Sequence, residues 1–263
     1  MTFEHILFSI ENGIARISLN RPETLNSFHE AMHLEMHQAL DQVSNDTSVR
    51  VLLLSGEGRG FCAGQDLSDP LVKPADPMPD LAPVIEQFYN PMIEKLSTLA
   101  VPTICAVNGI AAGAGANIPL ACDFVVAARS AKFIQAFCKI GLIPDSGGTW
   151  FLPRLVGMAR AKQLAMLGEP LSAEKALEWG MIYSVVDDDQ LQDEAMKLAT
   201  HFATQPTYGL ALTKAALNAG QTNDLSAQLE LEKQFQSEAG ASADYREGVM
   251  AFIEKRPAQF SGK

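Results

Sequence analysis

Basic side chains are scarce. Twenty Lys and Arg stand against 31 Asp and Glu in 263 residues, a formal net charge of −11, and the isoelectric point is near 4.9. Nucleic acids and anionic bilayers are held through Lys and Arg clusters, so neither is expected as a partner. Cysteine is scarce too. Cys62, Cys105, Cys122 and Cys138 lie far apart with no CxxC pair, which fits neither a disulfide framework nor a metal site and points to reduced thiols in the cytoplasm. Histidine is missing between His37 and His201, so a site in that stretch takes its acid or base from another residue type. Residues 1–10 carry Glu4 and no basic region ahead of an apolar run, so no signal peptide is expected. Charge is missing altogether from Leu96 to Cys122, long enough to span a bilayer. Pro102, Asn108, Asn117 and Pro119 make it a poor insertion signal; it reads better as a buried strand followed by a tightly packed helix.

What is present is an ordinary globular mixture, 47% apolar and 19% charged, in a chain of one large domain or one and a half. Two apolar runs, His5–Ile10 and Ile14–Leu19, flank Asn12-Gly13, the strongest short hairpin signal. Ser27 with Glu30 forms a capping box, followed by an apolar stripe of Phe28, Met32, Met36, Leu40 and Val43. His29, His33 and His37 sit one residue after the stripe and read as a solvated helix flank rather than metal ligands. Val49–Leu54, Thr103–Val107, Phe124–Ala128 and Ile182–Val186 read as strands. Helices are expected at 84–99, 113–121, 149–156, 159–167, 173–179 and 189–204. Five prolines between Ser68 and Pro83 exclude regular structure there and suggest a lid. Beyond Gln205-Pro206-Thr207 the periodicity is helical throughout, over 208–218, 226–239 and 243–255. The expected layout is a core over residues 1–205 and an all-helical region over 206–263. That region is too small for a core of its own, so it docks on the body or on another subunit.

Three stretches could carry chemistry. Two are Gly/Ala-rich turns after predicted strands, 60–67 and 108–117. Small residues let other backbone approach, and free N–H groups there could stabilise a developing oxyanion; helix packing is the plainer reading. The third is Gly141–Trp150, where Asp145 lies between Leu, Ile and Pro on one side and Trp150 on the other. It reads as a helix N-cap or as a general base raised in pKa by an apolar cavity. Cys138 and Ser146 lack a histidine partner nearby in sequence and rank low as nucleophiles.

Together these motifs are similar to those of a known family. Asn20-Arg21-Pro22 with Leu25-Asn26, Phe61-Cys62-Ala63-Gly64-Gln65-Asp66-Leu67, Ala106-Val107-Asn108-Gly109, Asp123, and Gly141-Leu142-Ile143-Pro144 with Gly147-Gly148-Thr149 resemble the enoyl-CoA hydratase/isomerase (crotonase) family. The resemblance implies an α/β fold, a spiral of strand–strand–helix (ββα) repeats with a C-terminal helical extension that forms trimers or dimers of trimers. It implies acyl-CoA thioester substrates and no separate cofactor or metal. Backbone N–H groups of Gln65 and Ala114 would grip the thioester oxygen. Leu25, Ala63, Gly64, Gln65, Asp66, Leu67, Gly113 and Ala114 would line the CoA and acyl site, with Asn117, Phe137 and Trp150 at the acyl end. Lys255 of a neighbouring subunit would meet a CoA phosphate or, equally, sit solvated.

A family hydratase carries glutamates where this chain has Asn117 and Phe137. Adding water needs an acid and a base, which neither residue can supply. Asp145 remains, in a position other members use, and the resemblance turns the reading from cap to catalyst. A single base beside an oxyanion hole suits double-bond isomerisation. The rival readings are another aspartate-dependent member, such as a dienoyl-CoA isomerase, a naphthoyl-CoA synthase or a weak hydratase, and a non-catalytic partner-binding scaffold.

Overall fold

A computed structural model describes residues 3–263; Met1 and Thr2, the start of the stretch tested for a signal peptide, lie outside them. The chain opens with the expected hairpin. β1 (Ile6–Glu11) and β2 (Ile14–Leu19) pair antiparallel with Glu11 opposite Ile14. Asn12 and Gly13 both adopt positive φ, 52° and 78°, as a two-residue turn of the favoured hand requires. α1 (Glu30–Asn45) buries Met32, Met36, Leu40 and Val43 as its stripe predicts.

Two expectations for this helix are corrected. Its cap is His29, whose Nδ1 accepts from the Met32 N–H, not Ser27. Residues up to Phe28 are drawn out as a bridge to Gln65, with the Phe28 N–H donating to Gly64 O, so the helix cannot begin earlier. The histidines are no solvated flank either. His33 is 1% exposed, packed against Phe28, Phe88 and Tyr89, and burial pushes its pKa down to about 4. His37 Nε2 reaches Phe88 O at 3.0 Å.

β3 (Val51–Gly56) is buried at every residue. It starts the main sheet, whose order is β1-β2-β3-β5-β7-β10, with β5 (Thr103–Val107), β7 (Phe124–Ala128) and β10 (Ser184–Val186) all parallel to it. A second sheet was not legible in the sequence. It consists of β4 (Gly60–Cys62), β6 (Ile110–Ala112), β8 (Lys132–Ile134) and β9 (Leu171–Ser172), in that order. Strands of two or three residues are too short to show a period of two. Each repeat therefore sends one strand to the large sheet and the next to the small one: β3 then β4, β5 then β6, β7 then β8.

Residues 66–81 carry no helix or strand, as the prolines require. α2 (Ala82–Val84) runs through a π-helical turn, Ile85–Tyr89, into α3 (Asn90–Thr98). The Asn90 N–H bonds back to Ile85 O, and Pro91 next to it has no N–H to offer, so the ladder slips there. The expected helix 113–121 is shorter: α4 (Ala114–Asn117) tightens into a 3₁₀ turn at Ile118–Ala121, with Pro119 inside it. α5 (Gly148–Val156), α6 (Met158–Leu167), α7 (Ala173–Glu178, capped by Ser172) and α8 (Leu191–Ala203) complete the core. α9 (Thr207–Ala219), α10 (Leu225–Gly240) and α11 (Ala243–Glu254) follow. Asp123 ties this tail down. It accepts from the Thr103 N–H and hydroxyl at 2.7 and 2.9 Å and pairs with Lys214 of α9 at 2.6 Å, while the Lys214 ammonium also donates to Leu99 O and Val101 O. Among the described residues no helix is long and apolar enough to cross a membrane.

Candidate active site

The first turn follows β4 and is held open from behind by Asn26. Asn26 is fully buried. Its Nδ2 donates to the carbonyls of Glu57, Gly60 and Phe61 at 2.9–3.0 Å and its Oδ1 accepts from the Arg21 N–H at 2.8 Å. Leu25 and Asn26 both take positive φ, so that Leu25 O meets the Ala63 N–H at 2.9 Å. The Phe28 bridge then uses Gly64 O and the Asp66 N–H. In such a parallel pairing the intervening residue faces the other way, and the Gln65 N–H accordingly has no acceptor among the described residues.

The second turn comes to the same place. Gly64 has φ +91°, and a Cβ on it would lie 2.9 Å from Ala112 O and 3.3 Å from Ala114 N. A Cβ on Gly115 would overlap the backbone of Cys62. These glycines are there because two backbones touch. Ala114 is the first residue of α4, so its N–H has no partner within the helix and none elsewhere among the described residues. Two free N–H groups, from Gln65 and Ala114, thus sit on adjoining turns. The Gln65 side chain is anchored away from them: its Oε1 accepts from the Tyr89 hydroxyl at 2.9 Å, with His33 Nε2 at 3.5 Å.

Asp145 stands on the facing loop. Its carboxyl does not cap α5, whose N-cap is Gly147 with no side-chain hydrogen bond. The Ser146 hydroxyl donates to Asp145 Oδ1 at 2.9 Å, and burial raises the Asp145 pKa to about 6, against the opposing pull of that bond. The backbone of Asp145 is joined to the second turn, since Asn117 at the end of α4 donates from Nδ2 to Asp145 O at 2.9 Å. The Tyr89 phenol, which holds Gln65, is raised in pKa by burial first and in lesser part by the charge of Asp145. Phe137 closes in from the 3₁₀ turn after β8, Ala136–Ile140, its Cζ 3.9 Å from where a Gly113 Cβ would stand.

The fold places the other expected residues as follows. Asn117, expected at the acyl end, has no exposed surface and bonds the Asp145 carbonyl. The Asp66 carboxylate is taken by Arg21 at 3.1 Å and by Ser68. Leu67 is exposed. Trp150 opens α5, its ring stacked under the Arg154 guanidinium at 4.0 Å. Lys255 is the exposed C-cap of α11, which packs on α10. Cys62 is no nucleophile: burial raises its thiol to about 12. The Gln65–Tyr89–His33 cluster is not legible in the sequence, where His33 reads as helix flank; only the fold stacks them.

The enoyl-CoA hydratase/isomerase family model matches residues 9–263. The chain belongs to this family. It is 58% identical over 260 residues to the 1,2-epoxyphenylacetyl-CoA isomerase of Escherichia coli K12, covering 99% of each chain. It is 36% identical to the trans-2-decenoyl-[acyl-carrier-protein] isomerase of Streptococcus mutans, covering 100% of each. The crystal structure of an enoyl-CoA hydratase from Bacillus anthracis superposes with a TM-score of 0.92 at 34% identity, over 99% of this chain and 100% of that one. The spiral with its helical tail is therefore the crotonase fold, and the chain is an enzyme of the enoyl-CoA hydratase/isomerase family.

Proposed function

We propose that the protein is an acyl-CoA isomerase that moves a proton beside a thioester carbonyl. Asp145 takes the proton from carbon, the C–H electron pair enters the carbonyl as an enolate, and the Gln65 and Ala114 N–H groups hold the oxygen while its charge grows. Asp145 then returns the proton at another carbon. The observation that carries this reading is the single raised carboxyl at Asp145, whose pKa near 6 suits a base at neutral pH. No second carboxyl stands at 117 or 137 to activate water.

The favoured substrate is ring-1,2-epoxyphenylacetyl-CoA of phenylacetate catabolism: the C–C bond shared by the epoxide and the ring breaks, its electrons enter the double bonds of the seven-membered ring, and the proton taken from the side chain returns to the ring, giving oxepin-CoA; 3-enoyl-CoA thioesters are shifted to 2-enoyl-CoA by the same groups. Identity of 58% to the isomerase of Escherichia coli supports it. In this reading the enzyme works in the cytoplasm and needs no cofactor beyond the CoA of its substrate. Residues 206–263 form the region where copies meet as a trimer or dimer of trimers. Its helices leave Leu225, Phe252 and Ile253 at 75%, 86% and 66% exposure, and Lys255 there would reach a neighbour's CoA phosphate. Light scattering at micromolar concentration reads the assembly directly.

The deciding experiment is Asp145→Asn. Calorimetry should show unchanged binding of a CoA thioester, while turnover of the epoxide and of 3-enoyl-CoA falls about 10²–10⁴-fold. Turnover near the parent rate on both substrates overturns the assignment.

A further inference from the structure

The loop that carries the base is strained, and a buried amide pair braces it. Ser146 adopts φ 49° and Gly147 φ 74°. The left-handed region costs a residue with a side chain about 1–2 kcal/mol, so surrounding structure must hold Ser146 there. The Asp145 carbonyl shows how. It accepts from two donors at once, the Gly148 N–H at 2.8 Å and Asn117 Nδ2 at 2.9 Å. Both of its lone pairs are taken and the peptide plane between Asp145 and Ser146 is fixed. Asn117 is itself fixed: its Oδ1 accepts from Gln135 Nε2 at 2.7 Å, and the two side chains are 0% and 3% exposed. Gly148 lies against Asn117 so closely that any Cβ there would overlap the amide. The brace thus runs from the end of β8 through Gln135 and Asn117 to the backbone of the base.

We propose that Asn117, backed by Gln135, is a positioning residue that holds the Asp145 carboxyl in its apolar setting, and that position 117 no longer faces the acyl group. This rests on Asp145 being the base. One N–H of the amide goes to the Asp145 carbonyl and one lone pair of its oxygen to Gln135, and the side chain has no exposed surface. The electrostatic setting is simple. No charged side chain contributes to the raised pKa of Asp145. The titratable group that senses its charge is the Tyr89 phenol, which burial holds well above 10 and therefore neutral. The degree of desolvation of the carboxyl, set by where the loop stands, then governs the pKa.

Loss of the brace should let the loop relax toward water and lower the pKa. The test is Asn117→Ala, read by carbon-13 NMR titration of the Asp145 carboxyl without substrate and by the pH profile of kcat/KM. The titration midpoint should move down from about 6 by about one unit. The kcat should fall about tenfold or more while KM stays within about threefold, as for a group acting through the base. Gln135→Leu removes the far bond only and should move the midpoint the same way by less; it also serves if Asn117→Ala does not fold. Asn117→Glu should gain no hydration of 2-enoyl-CoA. Midpoints unmoved in the variants that fold, or hydration gained by Asn117→Glu, overturn the proposal. The titration is read without turnover, so it stands apart from Asp145→Asn, whose failure would instead overturn the choice of base.

Discussion

A carboxyl that must ionise in a half-buried place is in conflict with the stability of the fold. Asp145 has an ordinary value of 3.8 and a folded value of about 6, raised because burial disfavours the anion. Below about pH 4 the proton is held in both folded and unfolded chains and the residue costs nothing. As pH rises through 6 the folded chain must release it into a poorly solvated site, and the cost reaches roughly 2–3 kcal/mol. Asp145→Asn should therefore stabilise the protein at pH 8, by that order, and give little or no gain at pH 4. Urea melts at the two pH values check this; an equal gain at both would show that Asp145 is not strained by burial. Activity runs the opposite way. In the proposed role Asp145 works only when ionised, so kcat/KM should climb with pH along an acid limb near 6 and then level off. That role sets chemistry against stability at this residue.

At the scale of elements, the site depends on two turns meeting backbone to backbone. The absent Cβ of Gly115 leaves room for the Cys62 carbonyl, and that of Gly64 for Ala112. Gly115→Ala keeps a residue that suits α4 by propensity, yet its methyl must push β4 and α4 apart. The expected result is a loss of turnover of at least about 100-fold, since one misplaced oxyanion donor costs that much, together with a lower melting temperature. Parent-level activity in Gly115→Ala would mean that the turns do not act together. Much of this element structure was legible. The hairpin, α1, the buried β3 and the helical tail all announce themselves through turn chemistry or periodicity. The small sheet does not, because strands such as Leu171–Ser172 are defined by their partners and not by their own pattern. The cap of α1 was misread for the same reason: Ser27 has the right chemistry, but the pairing of Phe28 with Gln65 keeps the chain extended past it.

For the whole molecule, the question is how a helical tail stays on the core. α10 buries no residue, so packing of that helix alone cannot hold it. Lys214 of α9 is tied to the core through Asp123, Leu99 O and Val101 O, beside the bonds of Arg50 to Thr207 and Gln205 and of Asn218 to Ser97 O. Its side chain is 10% exposed and that of Asp123 25%, so water screens the pair weakly. Lys214→Met keeps the length and apolar stem but strands a carboxylate and two carbonyls. Removing one partner of such a pair should cost about 3 kcal/mol, seen as a lower urea midpoint, while the CoA-thioester site stays intact in the folded fraction. A change under about 0.5 kcal/mol, the level of an exposed pair, would show that the tail is held by something else.

The sequence by itself determined the family, the order of the main-sheet strands and the longer helices, the candidate base at Asp145, and the absence of an acid at the two hydratase positions. These depend on residue type and short spacing. Tertiary structure alone decided what the polar side chains do. Asn117 bonds the Asp145 carbonyl and Gln135; the Asp66 carboxylate meets Arg21; His33, which looked solvated, is buried beneath Gln65. The reason is that a hydrogen bond is made with whatever the fold brings within about 3 Å. In this chain those partners stand 18 to 45 residues away, beyond the reach of any local pattern.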